Sequence, residues 1–62
     1  MSKKLKYYQQ VLQKVSFDVQ LFRKELKKAY TYLTPKDCDI LRDWVNDFII
    51  NRVDLQLAIY HL

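Results

Sequence analysis

The sequence predicts an all-α fold, a hairpin of two long antiparallel helices. Three observations support this fold class: residues that form turns are nearly absent, apolar residues recur at helical spacing, and a strong helix start lies near the middle of the chain. The 62 residues include no glycine and one proline, Pro35. Because glycine and proline mark most turns, we expect a single turn. The chain is therefore predicted to be one domain over residues 1–62, with one helix over about 3–32 and another over about 35–60.

The first helix is indicated by an apolar series whose members are alternately three and four residues apart. This spacing keeps every member on one stripe of a helix, whereas a strand would alternate every two residues. The heptad series consists of Leu5, Tyr8, Leu12, Val15, Val19, Phe22, Leu26, Ala29 and Leu33. We expect this stripe to pack against the second helix.

The second helix is predicted to begin directly after the turn. Thr34 is suited to be its N-cap, and Pro35 to be its first residue, where a missing N–H does no harm. Asp37 stands at the third position, from which a carboxylate can reach back to the cap. Leu33 and Cys38 are placed to make the apolar contact that often accompanies such a start.

The second helix is apolar over most of its circumference. Its main stripe consists of Ile40, Leu41, Trp44, Val45, Phe48, Leu55, Ala58, Ile59 and Leu62. A second stripe is added after Phe48 by Ile49, Ile50, Val53, Leu57 and Tyr60. A helix of this kind needs more than one neighbour to bury it. A strand over residues 53–59 is the alternative interpretation, because apolar residues also alternate there.

The excess of apolar surface predicts self-association. Two helices enclose no interior, and a domain of this length buries only about 60% of the surface of its unfolded chain. One cysteine, Cys38, and one histidine, His61, supply neither a disulfide nor a structural zinc site, so we expect no metal or other cofactor. We expect a homodimer of two hairpins forming a four-helix bundle, or association with another helical protein. The residues predicted at this interface are Phe17, Leu21, Ile49, Ile50, Val53, Leu57 and Tyr60.

The charge of the chain is unevenly distributed. The net charge is +4, the sum of +6 over residues 1–33 and −2 over residues 34–62. In a hairpin, the cations near the end of the first helix should lie beside four aspartates of the second, Asp37, Asp39, Asp43 and Asp47. The alternative is that the cations contact nucleic acid, and the candidates are Lys3, Lys4, Lys6, Arg23, Lys24, Lys27 and Lys28.

These patterns favour a small non-enzymatic module for protein–protein interaction and assembly. A catalytic site needs polar groups that converge in a cavity, and the sequence offers a single histidine, a single cysteine and no glycine for a phosphate-binding loop. No apolar stretch is long enough to cross a membrane, and no apolar signal segment follows the basic residues at the start, so a cytoplasmic protein is expected. The alternative function is that of a small basic regulator associated with nucleic acid.

Overall fold

The computed structural model describes residues 2–60, and those residues form four α-helices and no strand. The helices are α1 (Lys3–Lys14), α2 (Val19–Tyr32), α3 (Pro35–Phe48) and α4 (Val53–Tyr60). The prediction of an all-α fold is confirmed. The strand interpretation of residues 53–59 is excluded, because these residues belong to α4. The predictions that concern His61 and Leu62 lie outside the described residues.

The prediction of two long helices is wrong, because a turn divides each of them. The first turn spans residues 15–18 and the second spans residues 49–52. A continuous helix over residues 3–32 would be about 45 Å long at 1.5 Å per residue. The longest dimension of the structure is 28 Å, and the other two are 18 and 17 Å. Four shorter helices can surround a common core, which a pair of long helices cannot.

The first turn is held by Asp18, the N-cap of α2. Its carboxylate accepts hydrogen bonds from the backbone N–H groups of Gln20 and Leu21, at 3.0 and 3.2 Å. The N–H of Asp18 donates to the carbonyl oxygen of Val15 at 3.0 Å, which closes the turn. These bonds satisfy N–H groups at the start of α2 that have no partner within the helix. The chain therefore leaves α1 and starts α2 without glycine or proline.

The second turn is held by hydrogen bonds from the Gln56 side chain and from the backbone N–H of Arg52. The Gln56 side-chain amide donates to the carbonyl oxygens of Ile49 and Ile50, at 2.9 and 3.0 Å. The backbone N–H of Arg52 also donates to the carbonyl oxygen of Ile49, at 2.8 Å. Carbonyl groups that α3 leaves unpaired at its end thus find donors. A residue of α4 thereby stabilises the end of α3.

The predicted start of α3 is confirmed, with one difference. The Thr34 hydroxyl accepts from the N–H of Asp37 at 3.2 Å, and Pro35 occupies the first turn. The carboxylate of Asp37 accepts instead from the hydroxyl of Ser2, at 2.6 Å. Because Ser2 is also the N-cap of α1 and accepts from the N–H of Leu5, the starts of α1 and α3 are joined.

The core is formed by apolar residues from all four helices and from the ends of their connections. Its buried members are Leu5, Tyr8, Leu12, Phe22, Leu26, Ala29, Leu33, Leu41, Val45, Ile49 and Leu55. Seven of the nine positions of the heptad series are among them, and the other two, Val15 and Val19, pack against the core. α2 packs against both α1 and α4, while α1 also packs against α3. The series therefore predicted which residues are buried, although it runs through two helices.

Three aromatic rings connect α2 to the end of α3. The ring of Phe48 stacks on that of Phe22 at 6.2 Å and on that of Trp44 at 5.1 Å, measured between ring centroids. Near the other end of the same two helices, the Cys38 thiol donates to the carbonyl oxygen of Tyr30, at 3.5 Å. α2 and α3 therefore run antiparallel and contact each other near both of their ends. Aromatic pairs add about 0.5–1.5 kcal/mol each beyond the area they bury.

Replacing a core leucine should destabilise the fold far more than replacing an exposed leucine of the same helix. Leu26 is fully buried, whereas Leu21 is 39% exposed. We expect Leu26→Ala to lower the free energy of unfolding by about 2–5 kcal/mol, because it leaves a cavity. Leu21→Ala should cost less than half as much. Urea unfolding followed by circular dichroism measures both, and equal losses would contradict this description of the core.

The cap at the first turn should contribute measurably to stability. Asp18→Ala is expected to lower the free energy of unfolding by about 0.5–2 kcal/mol, because two N–H groups at the start of α2 lose their acceptor. Asp18→Asn keeps a side-chain oxygen in the same place and should retain most of the stability. Thermal unfolding of the three proteins tests this expectation. An alanine variant as stable as the original chain would show that the cap does not contribute.

Candidate protein interface

One side of α4 presents apolar side chains that are more than half exposed. Val53, Leu57 and Tyr60 are spaced by four and three residues, so they lie on one stripe of the helix, and Ile50 precedes them in the second turn. The exposed fractions of these four residues range from 54% to 78%. We refer to Ile50, Val53, Leu57 and Tyr60 as the α4 outer face.

The opposite side of α4 is buried in the core. Leu55 is fully buried, and Ile59 packs against the core. A helix that covers a core on one side normally has polar residues on the other side. In α4 the other side is apolar instead, and Asp54 is the only charged residue of the helix. This short helix is therefore apolar on two opposite sides, of which the fold buries one.

Ile49, which was predicted at the interface, belongs to the core instead. It is 4% exposed. Leu41, Val45 and Ile49 are spaced by four residues, so Ile49 continues the buried stripe of α3 into the turn that follows it. The prediction for this residue is wrong, because Ile49, although it is the first residue of the turn, still packs in the core.

Two other predicted interface residues lie at the first turn and at the start of α2. Phe17 is 78% exposed, and Leu21 is exposed to a smaller extent. The Arg52 guanidinium in the second turn donates to the carbonyl oxygen of Ser16 at 3.0 Å. Since Ser16 precedes Phe17, this bond ties the turn that carries Phe17 to the turn that carries Ile50. Phe17 thus lies at the end of the molecule where the α4 outer face begins.

Arg52 also forms the charge pair nearest to this face. Its guanidinium makes two hydrogen bonds to the carboxylate of Asp54, at 3.1 and 3.0 Å. The hydrogen bond holds the pKa of Asp54 below its ordinary value of 3.8 and raises the pKa of Arg52. Both groups therefore remain charged at neutral pH. Because the two charges are paired, the surface around the α4 outer face has no net charge from α4 and the turn before it.

The basic residues are exposed on α1 and α2. Those proposed as nucleic-acid contacts are Lys3, Lys4, Lys6, Arg23, Lys24, Lys27 and Lys28, and the structure places all of them at the surface. The expected pairing with the aspartates of α3 is wrong for Lys24, Lys27 and Lys28, none of which forms an ion pair with a described residue. Three of the four aspartates, Asp37, Asp39 and Asp43, have other partners.

Arg42 of α3 is the partner of two of those aspartates. Its guanidinium lies 3.5 Å from the carboxylate of Asp39 and 3.7 Å from that of Asp43. Asp37 accepts from Ser2, as described above. Neighbours on the same helix are held at pairing distance by the helix itself, so they compete well against a partner on another helix.

The half-buried Cys38 is held by backbone groups rather than by a second reactive side chain. Its thiol donates to the carbonyl oxygens of Tyr30 and Leu33, at 3.5 and 3.7 Å. Burial, together with the neighbouring Cys38, raises the pKa of the Tyr30 phenol, which therefore stays protonated at neutral pH. Within residues 2–60, no three His, Cys, Asp or Glu side chains are grouped so as to hold a metal ion. The helices of the same residues are all too short or too polar to cross a membrane.

Comparison with known proteins gave no match to a protein-family model, to a curated protein or to a solved structure. The surfaces of the chain itself are therefore the grounds for inferring its function.

The pairing of Arg52 with Asp54 should make stability depend on pH in the acid range. Because the pKa of Asp54 is below 3.8 in the folded chain, the unfolded chain binds this proton first as the pH falls. The contribution of this ion pair to stability is complete above the ordinary pKa of Asp54. It is lost as the pH falls through the lower pKa that Asp54 has in the folded chain. We expect urea midpoints measured across this range to fall less steeply for Asp54→Asn than for the original chain.

Arg52→Gln provides the matched control for this pH dependence. It removes the positively charged guanidinium while leaving the carboxylate of Asp54 in place, so it should make the urea midpoints depend less steeply on pH, as Asp54→Asn does. The double variant should add nothing further. An Asp54→Asn chain whose midpoints follow those of the original chain at every pH would rule out this contribution.

Proposed function

We propose that this protein is a small, non-enzymatic helical module for protein–protein interaction and assembly, which associates with a second copy of itself through the α4 outer face. The observation that supports this proposal is the stripe of Ile50, Val53, Leu57 and Tyr60, exposed opposite the buried Leu55. Single exposed apolar residues are ordinary on protein surfaces, whereas a contiguous group of them marks a place where another surface binds.

The energetic gain from covering this face is substantial for so small a chain. Burying an aliphatic side chain stabilises by about 1.5–3 kcal/mol. A standard interface removes about 800 Å² of surface from each partner. The described chain has 4564 Å² of accessible surface, so the whole end of the molecule, including Phe17, would take part. This is why we place Phe17 and Leu21 at the edge of the interface.

Charge does not oppose a second copy at this face. The chain has a net charge of +4, so most approaches of two copies bring like charges together. The α4 outer face avoids this repulsion, because Asp54 and Arg52 neutralise each other beside it. A stripe with steps of three and four residues can also pack against the same stripe of a twofold-related copy. Two copies can therefore meet at their neutral, apolar ends.

Sedimentation equilibrium over a range of protein concentrations tests this proposal. The original chain is expected to be a dimer at high concentration and to dissociate on dilution. Leu57→Glu should weaken the dimer at least ~100-fold, because a symmetric interface loses two buried leucines and gains two buried charges. Ile50→Glu should act in the same direction. Both variants should keep their helical circular dichroism spectrum.

Gln10→Glu is the matched control for these substitutions. It introduces the same charge at an exposed position of a different helix, α1, and should leave the dimer intact. A folded original chain that remains monomeric at every concentration would refute the proposal. A monomer that binds a different helical protein through Leu57 would show that the face is an interface for another partner and not for a second copy.

A further inference from the structure

The outer side of α2 forms a second surface, and it is basic. Lys24, Lys28 and Tyr32 follow one another at intervals of four residues, so they lie along one stripe of the helix, with Lys27 beside them. All four are exposed, and each step along the stripe advances about 6 Å along the helix axis. We refer to Lys24, Lys27, Lys28 and Tyr32 as the α2 basic face.

The lysines of this face are not held in ion pairs within the described chain, although Glu25 lies on the same helix. Lys24, Lys27 and Lys28 form no ion pair with residues 2–60, whereas Asp39 and Asp43 of α3 pair with Arg42 and Asp37 accepts from Ser2. Two like charges four residues apart on a helix repel each other and weaken it. A partner that carries regularly spaced negative charges would relieve this repulsion and would release bound counterions.

An exposed aromatic ring at the end of the basic stripe indicates which polyanion fits. Tyr32 is 58% exposed and lies one helical turn beyond Lys28. On α1, Tyr7 is exposed to a similar extent and lies one turn beyond Lys3, which repeats the arrangement. Proteins that bind single-stranded nucleic acid combine cations, which follow the phosphates, with aromatic rings on which unpaired bases stack.

We infer that the α2 basic face binds single-stranded nucleic acid, with its lysines on backbone phosphates and the ring of Tyr32 stacked on an unpaired base. A double strand offers the phosphates but keeps its bases paired. A lipid surface offers anionic headgroups, but a helix that binds in a bilayer interface inserts its apolar side. The apolar side of α2 is occupied, because Phe22, Leu26 and Ala29 are buried in the core. This inference does not depend on the association through α4.

Fluorescence anisotropy with a labelled single-stranded oligonucleotide of mixed sequence, titrated at several salt concentrations, tests the inference. The original chain should bind at low salt. The logarithm of its binding constant should fall with the logarithm of the salt concentration, with a slope of about −2 if three lysines each neutralise a phosphate. The paired substitution of Lys24→Glu with Lys28→Glu should abolish most of the binding and reduce the slope. Tyr32→Ala should lower affinity roughly tenfold and leave the slope unchanged, since it removes stacking only.

The controls separate a defined surface from general attraction to a cation. Lys14→Glu with Lys36→Glu changes the net charge of the chain equally at exposed positions outside the face, and should weaken binding much less. Tyr32→Phe should bind like the original chain. Circular dichroism and sedimentation of each variant distinguish loss of binding from loss of folding or of association.

Four results would overturn the inference. The first is the absence of oligonucleotide binding at low salt. The second is an equal loss in the control pair, which would reduce the effect to net charge. The third is unchanged affinity in Tyr32→Ala together with equal binding of a duplex. The fourth is stronger binding to vesicles of anionic lipid, with the same dependence on Lys24 and Lys28, which would show that the face is a membrane-surface site.

Discussion

Burial of one side of α2 is the interaction on which the rest of the structure depends. Phe22, Leu26 and Ala29 lie on that side, and α2 is the helix that packs against both α1 and α4. This arrangement fixes what the surface can contain. The side of α2 that faces away from the core carries Lys24, Lys27 and Lys28. α4 contributes Leu55 to the core, so the opposite side of α4, with its apolar residues, faces outward. Both candidate surfaces therefore follow from the packing of α2 against α1 and α4.

The sequence was sufficient for the helical class and for most of the core, but not for the two turns. The step from Val15 to Val19 keeps the heptad spacing, and so does the step from Val45 to Ile49, so the apolar pattern runs through both places without interruption. The hydrogen bonds of polar side chains, Asp18 at the first turn and Gln56 at the second, mark where the helices end. Asp18 is a local signal that could have been recognised, since aspartate is among the preferred N-caps. The bond from Gln56 back to Ile49 depends on how the chain has already folded, and no spacing rule predicts it.

Six of the seven residues predicted at the interface are exposed, and the seventh, Ile49, is buried. Ile49 and Ile50 are neighbours, and a helix turns about 100° between neighbours, so they could not both face the same way. The position four residues after Val45 marks Ile49 as the buried one. The expected ion pairs between helices failed for a related reason. Their prediction assumed long helices side by side, whereas Asp39 and Asp43 lie 3.5 and 3.7 Å from Arg42 of the same helix.

The two surfaces differ in charge, and this difference decides how they can work together. A cationic chain resists association wherever its lysines would meet, so association is least opposed where the local charge is zero, which is beside the Arg52–Asp54 pair. Association at that end would leave the lysines of both copies exposed and would place two basic faces on one particle. Linked faces bind a long polyanion with a higher effective concentration than separate ones, without any new contact. Self-association through α4 and polyanion binding through α2 would therefore strengthen each other, although each rests on different residues.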